Sequence, residues 1–393
     1  MFPLSSPSPS PELGPDRAAH SKGLVRAASR LFATLVRRVL DRGGGAVPWV
    51  IGVIAMCTLA SRAALGSGWS VALVEVAHLE AASGPITGIS FRRDGRVLAF
   101  GSADDIAHVW TIGAPAARKL PHGGAAVCFV ASHRSKVERL LTMSRQGAVN
   151  LYDPKSLKRA DWISRCGHLA ATSPRGRVLV GSSGNLIDSL TLWPLTALIP
   201  SEKRKSLPRL EGCSASVVSL AVGPGANLLM AGGTIAGGPS TPSDGYVLFW
   251  DRVNAERPHI VKVGSAVLGV TLNGDATLAA SVGYDGDGHG APRYGRICIW
   301  DTKTEQRTQT VTLQQGAAIC AAFQPGGNLL VTSTDRGQIA CWDPTTLRML
   351  GVAQLTDVRS IAFSPRGRRL AVGTAEGAIF LYAVQNRAGG TTP

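Results

Sequence analysis

An aromatic residue ends a short apolar run at seven places along the chain. Successive places are 42, 41, 57, 50, 42 and 40 residues apart, so the sequence repeats with a period near 40. A unit of this length that forms one small β-sheet cannot bury both faces alone, so its copies must pack against one another. The sequence therefore predicts an all-β array of seven units. The aromatic residues are Trp110, Tyr152, Trp193, Trp250, Trp300, Trp342 and Tyr382.

The sixth unit shows the internal pattern of the repeat. Residues 318–323 alternate apolar and small side chains, and the Pro-Gly-Gly at 325–327 predicts a tight turn. Residues 328–333 and 338–343 then predict the second and third strands, the second packed on both faces. The same frame fits the six other units, so we expect the units to be built alike.

Aromatic-Asp pairs end the third strands of four units, and similar turns at 91–95 and 363–367 join the first two strands of their units. In these features the chain resembles the WD-repeat family of β-propellers over roughly residues 70–386. The resemblance implies a seven-bladed β-propeller. It also implies a hydrogen-bonded set of Asp, Ser, His and Trp in each blade, of which parts are present: Ser102, Asp104 and Trp110 in unit one, and Ser333, Asp335 and Trp342 in unit six. The pairs are Tyr152-Asp153, Trp250-Asp251, Trp300-Asp301 and Trp342-Asp343.

The two ends of the repeat region predict how the ring closes. After Tyr382 too few residues remain for an outer strand, whereas residues 71–80 precede unit one and form a strand with no unit of its own. Pairing the two would remove an exposed sheet edge. We therefore expect the propeller to be closed by its N-terminal strand, with a short disordered tail at 387–393.

The residues before the repeats form three predicted segments. Residues 1–20 are rich in Ser-Pro pairs and predict a disordered tail. Residues 21–45 predict a basic amphipathic helix, which can lie in an anionic membrane surface or dock on a protein. Residues 46–69 predict a transmembrane anchor, since 46–61 carry no charge and Trp49 and Trp69 stand 20 positions apart.

The charge distribution around the apolar segment predicts an orientation. Seven basic residues precede the segment, so the N-terminus is expected in the cytoplasm and the propeller outside, in a single-pass membrane protein. A signal peptide cleaved after Ala60 or Ala63 is the alternative and would leave an exported soluble protein. A mitochondrial transit peptide fits less well, because the N-terminal region contains the acidic residues Glu12, Asp16 and Asp41.

Several common catalytic and metal-binding motifs are absent from the sequence. No nucleophile elbow, HExxH, P-loop or CxxC is present, and the seven cysteines form no zinc-spaced cluster. Residues 285–290 hold two carboxylates and a histidine, which fits a hairpin tip better than a calcium loop. No catalytic residue, metal or cofactor is therefore predicted. The rival hypothesis is an envelope enzyme, a hydrolase or metal-dependent, with a site on the propeller axis or the 284–293 loop; predicted first strands offer it Thr87, Ser90, Ser219, Thr271, Ser360 and one histidine, His168.

Two departures from the repeat indicate possible binding faces. Insertions at 234–243 and 284–293 fall between the second and third strands of neighbouring units, so both are expected on one rim. Neutral loop growth is the alternative, since surface insertions cost little. The candidate partner-binding residues are Tyr284, Asp285, Asp287, His289, Arg293 and Tyr294.

The opposite rim is predicted to be basic, because arginines recur in the turns between first and second strands. The basic-rim residues are Arg92, Arg93, Arg366, Arg368 and Arg369. An acidic protein or anionic lipid could bind there, and a merely solvated basic surface is the alternative. Nucleic acid is not favoured, because aromatic residues do not interleave the arginines. The sequence thus predicts a non-catalytic scaffold that binds a protein partner and is anchored to a membrane through residues 21–69.

Overall fold

All regular secondary-structure elements of the described residues are β-strands. The computed structural model describes residues 70–120, 123–131, 138–163, 170–172, 178–183, 189–194, 209–211, 216–225, 227–235, 244–251, 258–285, 294–314 and 316–387. Contacts divide the chain into Met1–Gly68 and Trp69–Pro393, and every described residue belongs to the second unit. The segments predicted at 1–20, 21–45 and 46–69 and residues 388–393 of the predicted tail lie outside the described residues. Arg387, which was predicted to begin the tail, instead ends the last strand, where its backbone pairs with Ser70.

The described strands number 28. They are β1 (Ser70–Glu80), β2 (Ile86–Phe91), β3 (Val97–Ser102), β4 (Ala107–Thr111), β5 (Arg118–Leu120), β6 (Ala126–Ala131), β7 (Glu138–Met143), β8 (Val149–Tyr152), β9 (Arg159–Ile163), β10 (Ala170–Thr172), β11 (Val178–Ser183), β12 (Ser189–Pro194), β13 (Arg209–Glu211), β14 (Ser216–Val222), β15 (Leu228–Ile235), β16 (Asp244–Asp251), β17 (His259–Lys262), β18 (Ala266–Leu272), β19 (Leu278–Asp285), β20 (Tyr294–Asp301), β21 (Gln306–Thr312), β22 (Ala318–Phe323), β23 (Leu330–Thr334), β24 (Gln338–Trp342), β25 (Met349–Gln354), β26 (Val358–Phe363), β27 (Arg369–Thr374) and β28 (Ala378–Arg387).

These strands form seven four-stranded antiparallel sheets. Sheets 1 to 6 each take four consecutive strands, from β2-β3-β4-β5 to β22-β23-β24-β25, and sheet 7 has the order β1-β28-β27-β26. The first strands touch in a circle, since each of β2, β6, β10, β14, β18, β22 and β26 contacts the next and β26 contacts β2. This arrangement is that of a β-propeller.

The outer strand of sheet 7 comes from the start of the described chain. Strand β1 pairs antiparallel with β28 from Ser70↔Arg387 to Glu80↔Ala378, with one register shift between Glu75 and Ala77. Val71 and Leu79 are buried at the two ends of β1. The predicted pairing of residues 71–80 with the last repeat is therefore confirmed.

The recurring aromatic side chains lie between sheets. Trp110 packs in an apolar cluster with Ile379 and Leu381 of sheet 7, and Trp342 packs in one with Ile297 and Ile299 of sheet 5. In these clusters the aromatic residue of a third strand faces the preceding sheet. A bulky ring at this position fills the layer between two sheets, which explains the period of the sequence.

Hydroxyl groups of the first strands hold neighbouring sheets together. The Ser90 Oγ accepts a hydrogen bond from the backbone N–H of Phe129 at 2.9 Å, and the Ser219 Oγ accepts one from the N–H of Val270 at 3.1 Å. The Thr87 hydroxyl donates to the carbonyl oxygen of Gly124 in the same way. Each bond crosses from one sheet to another, so these three hydroxyls have a structural use.

Two tryptophans are anchored by a hydroxyl on the second strand of their own sheet. The Trp342 Nε1 donates to the Thr332 Oγ1 at 2.9 Å, and the Trp300 Nε1 donates to the Ser281 Oγ at 3.0 Å. In both sheets the hydroxyl residue lies two positions beyond the cross-strand partner of the tryptophan. The register of the second and third strands therefore selects the partner.

The hydrogen-bonded set implied by the resemblance is only partly present in sheets 1 and 6, because neither tryptophan bonds to the serine of its set. In sheet 1 the residue at the hydroxyl position is Phe100, and the Trp110 Nε1 donates instead to the Ala114 carbonyl at 2.9 Å. Ser102 donates to the Gly84 carbonyl. In sheet 6 Trp342 bonds to Thr332 and not to Ser333. The strand connections before these sheets contain no histidine to link the set.

We predict that Thr332→Val will lower the free energy of unfolding by about 1–3 kcal/mol, because the buried Trp342 N–H loses its acceptor. The matched control is Thr332→Ser, which keeps the hydroxyl and removes one methyl group, at a cost of about 0.8 kcal/mol. Urea unfolding of the two variants checks this. Equal destabilisation would show that the hydrogen bond contributes nothing measurable.

Candidate interaction surfaces

Strand direction gives the ring two rims. Turns between first and second strands and between third and fourth strands share one rim, which we call the arginine rim. Turns between second and third strands lie on the other, which we call the hairpin rim. Because Ser70 pairs with Arg387 at the far end of β28, the chain enters β1 on the arginine rim.

Two neighbouring hairpins are lengthened on the hairpin rim. Strands β15 and β16 pair as far as Ile235↔Asp244, and β19 and β20 pair as far as Asp285↔Tyr294. All four strands have eight residues, whereas the corresponding strands of sheets 1 and 6 have five or six. Residues 236–243 and 286–293, between the paired ends, lie outside the described residues.

The predicted bounds of both insertions need correction. The sequence places loops at 234–243 and 284–293, but Thr234, Tyr284 and Asp285 belong to strands, because their backbones remain paired across the hairpin. Glycine permits the adjoining close packing: a Cβ on Gly245 would lie 1.7 Å from the Ser265 carbonyl oxygen of the next sheet. The lengthened hairpin of sheet 4 therefore rests directly on sheet 5.

The predicted partner-binding residues have different environments. Tyr294 is 41% exposed at the base of the sheet 5 hairpin, and Tyr284 is half-buried on β19. The Asp285 carboxylate forms an ion pair with Arg296 of the same hairpin, which neutralises its charge. Asp287, His289 and Arg293 lie outside the described residues.

On the arginine rim, five arginines surround one groove. Its volume is about 220 Å³, and it lies between the 92–96 turn of sheet 1 and the 364–368 turn of sheet 7. Four of the five arginines are exposed and Arg369 is half-buried. The structure therefore brings together side chains about 270 residues apart in sequence. The arginines are Arg93, Arg96, Arg366, Arg368 and Arg369.

Arg92, also assigned to the basic rim, has a different role. Its guanidinium group forms an ion pair with Asp94, with Nε 3.0 Å from Oδ2. This hydrogen bond lowers the pKa of Asp94 and raises the pKa of Arg92. Arg92 thus stabilises the turn that presents Arg93 and Arg96.

A second groove of about 540 Å³ adjoins the first, between sheets 1 and 2. Its charges are mixed, since four basic side chains are matched by three carboxylates. The basic residues are Arg92, Arg93, Arg139 and Lys155, and the acidic residues are Asp94, Glu138 and Asp153. Net positive charge is therefore concentrated in the first groove.

The aspartates that follow the aromatic residues hold the turns between third and fourth strands. The Asp301 carboxylate accepts hydrogen bonds from the N–H groups of Lys303 and Thr304 at 2.9 and 2.8 Å, and the bond from the Thr304 N–H contributes most to the lowered pKa of Asp301. Asp153 and Asp343 accept equivalent bonds. Asp251 ends β16, and Trp193 lies in β12. The aromatic-Asp signature is thus structural.

A pocket of about 460 Å³ opens on the hairpin rim, beside the turns of sheets 1 and 7. His108, which lines it, is buried and stacks on Phe100 with ring centroids 4.9 Å apart. Burial lowers the pKa of His108, so the ring is neutral near pH 7. Among the described residues, no group of three histidine, cysteine or carboxylate side chains is placed to hold a metal ion.

Within the described part of the chain, no helix is long and apolar enough to cross a membrane. The segment at 46–69, for which an anchor is predicted, lies outside that part.

Comparison with known families identifies the repeat. The model described as WD domain, G-beta repeat matches residues 73–111, 306–343 and 349–382. Each match begins in an outer strand and continues through the next three strands, β1 to β4 in the first case. The sequence repeat is therefore offset by one strand from the sheets, and β1 is the outer strand of the first repeat. The matched segments are therefore WD repeats within a β-propeller fold.

Relatives match parts of the chain. Protein HIR1 of Cryptococcus neoformans is 27% identical over 161 residues, 37% of this chain and 17% of that protein. The WD repeat-containing protein SL1-17 of Schistosoma mansoni is 26% identical over 141 residues, 35% and 44% of the two chains. Human Echinoderm microtubule-associated protein-like 3 is 27% identical over 96 residues, 23% and 10%. The matches span less than half of each relative. These matches and the matched repeats support placing the chain in a WD-repeat family.

Proposed function

We propose that this chain is a seven-bladed WD-repeat propeller that acts as a non-catalytic scaffold and binds a protein partner on its hairpin rim. The seven sheets and the circle of contacts between their first strands support the seven-bladed ring. A closed ring of rigid sheets presents its turns at fixed positions, which suits a surface that binds by shape.

The observation that carries the proposal is the pair of lengthened hairpins. Sheets 4 and 5 are neighbours, and their second and third strands extend to Ile235↔Asp244 and Asp285↔Tyr294. Two adjacent projections form a contiguous surface, as a specific protein contact requires. Tyr294, with 41% of its surface exposed, provides an aromatic contact of the kind enriched at interfaces.

The hydrogen bonds of the first-strand hydroxyls support a binding function over a catalytic one. A nucleophilic hydroxyl needs an adjacent general base. Thr87, Ser90 and Ser219 instead bond to backbone groups of other sheets. The thiols of half-buried Cys320 and buried Cys341 are also poorly suited to catalysis, because desolvation raises the pKa of Cys320 to about 11 and that of Cys341 to about 12. A protonated thiol is a poor nucleophile.

Replacing residues 236–243 and 286–293 with two-residue turns should abolish partner binding and leave the melting temperature nearly unchanged, because the trims remove no described strand. A photoreactive residue at Tyr294 should crosslink to a discrete protein in cells, and the trims should remove that adduct. Val352, which is 58% exposed on the outer strand of sheet 6, is the matched control position. A discrete adduct from 352 and none from 294 would place the binding face elsewhere.

We further propose that residues 46–69 anchor the propeller in a membrane, with the N-terminus in the cytoplasm. The support is the uncharged run at 46–61, the flanking Trp49 and Trp69, and the basic residues before the run. Exported soluble protein after signal cleavage is the alternative.

Full-length protein should resist carbonate extraction, and Ile54→Arg should release it, because an arginine at the centre of a span costs about 2.5–3.5 kcal/mol. Protease added outside should digest the propeller and spare residues 1–20. A soluble product that begins near Ser61 or Ala64 would show a cleaved signal instead of an anchor.

A further inference from the structure

The groove at the seam between sheets 7 and 1 is formed by two equivalent turns. Gly95 and Gly367 occupy the same position in the turns at 92–96 and 364–368, with φ of 70° and 67°. The turns touch, since a Cβ on Gly95 would lie 3.9 Å from the Pro365 Cδ. Their side chains therefore project around one shared groove.

The guanidinium groups of this groove outnumber its carboxylates by five to one. Arg93, Arg96, Arg366, Arg368 and Arg369 line the groove, and Asp94 is the single carboxylate among its lining residues. Asp94 is already occupied, because it accepts hydrogen bonds from Arg92 and from the N–H of Arg96. No hydrogen bond or ion pair joins the side chains of the five arginines to any described residue.

Neighbouring sheets hold both turns in place. The Glu138 Oε1 of sheet 2 accepts a hydrogen bond from the backbone N–H of Arg93 at 3.1 Å. The Gln324 Nε2 of sheet 6 donates to the Gly367 carbonyl at 2.8 Å. Both backbones are thus fixed before any ligand arrives, which lowers the ordering cost of binding.

We propose that this groove binds an acidic peptide segment of a protein, whose carboxylates pair with the guanidinium groups of the two turns. Arginine forks form paired hydrogen bonds with carboxylates, and such charge-assisted bonds are among the strongest that proteins make. A groove of about 220 Å³ between two turns admits one or two side chains and not a folded surface.

The remainder of the arginine rim favours a peptide over a membrane. Asp275, Asp301, Glu305 and Asp343 lie in turns of sheets 5 and 6 on this same rim. A flat anionic membrane that approached the rim would meet these carboxylates as well as the arginines. A short segment reaches the groove alone, and the mixed charges of the adjoining groove limit its length.

The test is fluorescence anisotropy of labelled hexaglutamate with the full chain at about 0.15 M salt, where exposed charges are screened beyond about 8 Å. Arg366→Glu with Arg368→Glu should weaken binding at least about tenfold. Arg93→Glu with Arg96→Glu, on the facing turn, should weaken it as much. The matched control is Arg336→Glu with Arg348→Glu, which makes the same charge change outside the groove. Thermal unfolding establishes that each variant is folded.

Selective loss in both groove variants, with hexaglutamate binding retained in the control, supports the proposal. Equal loss in all three variants would mean attraction to net charge and would overturn it, as would wild-type affinity in either groove variant. Vesicles of phosphatidylglycerol and phosphatidylcholine form the second arm. Vesicle binding that depends on the groove while hexaglutamate binding does not would make the surface a lipid site. This groove and the lengthened hairpins lie on opposite rims, so the two binding proposals are tested independently.

Discussion

The pairing of β1 with β28 is the interaction on which the architecture depends. Without β1, the backbone edge of β28 and its neighbours in the Val71 cluster would be exposed, which is unfavourable for a sheet. With β1 in place, sheet 7 is complete and β26 reaches β2. Ring closure also creates the arginine groove, because the turns at 92–96 and 364–368 become neighbours only at this seam.

Around the ring, repeated residues and deviating residues serve different ends. The repeated tryptophans fill the layers between sheets, and the aspartates after them bind backbone N–H groups of the turns. The fold therefore uses these side chains for packing and hydrogen bonding. The features left for recognition are departures from the repeat, namely the lengthened hairpins of sheets 4 and 5 and the arginines of two equivalent turns. A propeller can thus change its partner without altering its core.

The strands that pack on both faces could be predicted from the sequence. For the first strand of unit six, both predicted ends agree with the structure. Apart from β1, the outer strands could not be predicted, because a strand such as β21 is exposed along most of its length and has no apolar alternation. The hydroxyl that accepts the tryptophan N–H could not be predicted, since strand register directs the Trp342 N–H to Thr332 and not to Ser333. Asp285 was assigned to a loop because insertion length alone does not reveal how far strand pairing continues. The arginine cluster was predictable, since equivalent turns of neighbouring units must adjoin.

Thermal unfolding of two truncated chains tests the central claim most directly. One variant lacks residues 1–69 and keeps β1, and the other lacks residues 1–80. Removing β1 takes away the buried Val71 and Leu79 side chains, each worth about 1.5–3 kcal/mol. The account predicts a melting temperature at least about 5 °C lower for the shorter chain. Equal melting temperatures would contradict closure of the ring by its own N-terminal strand.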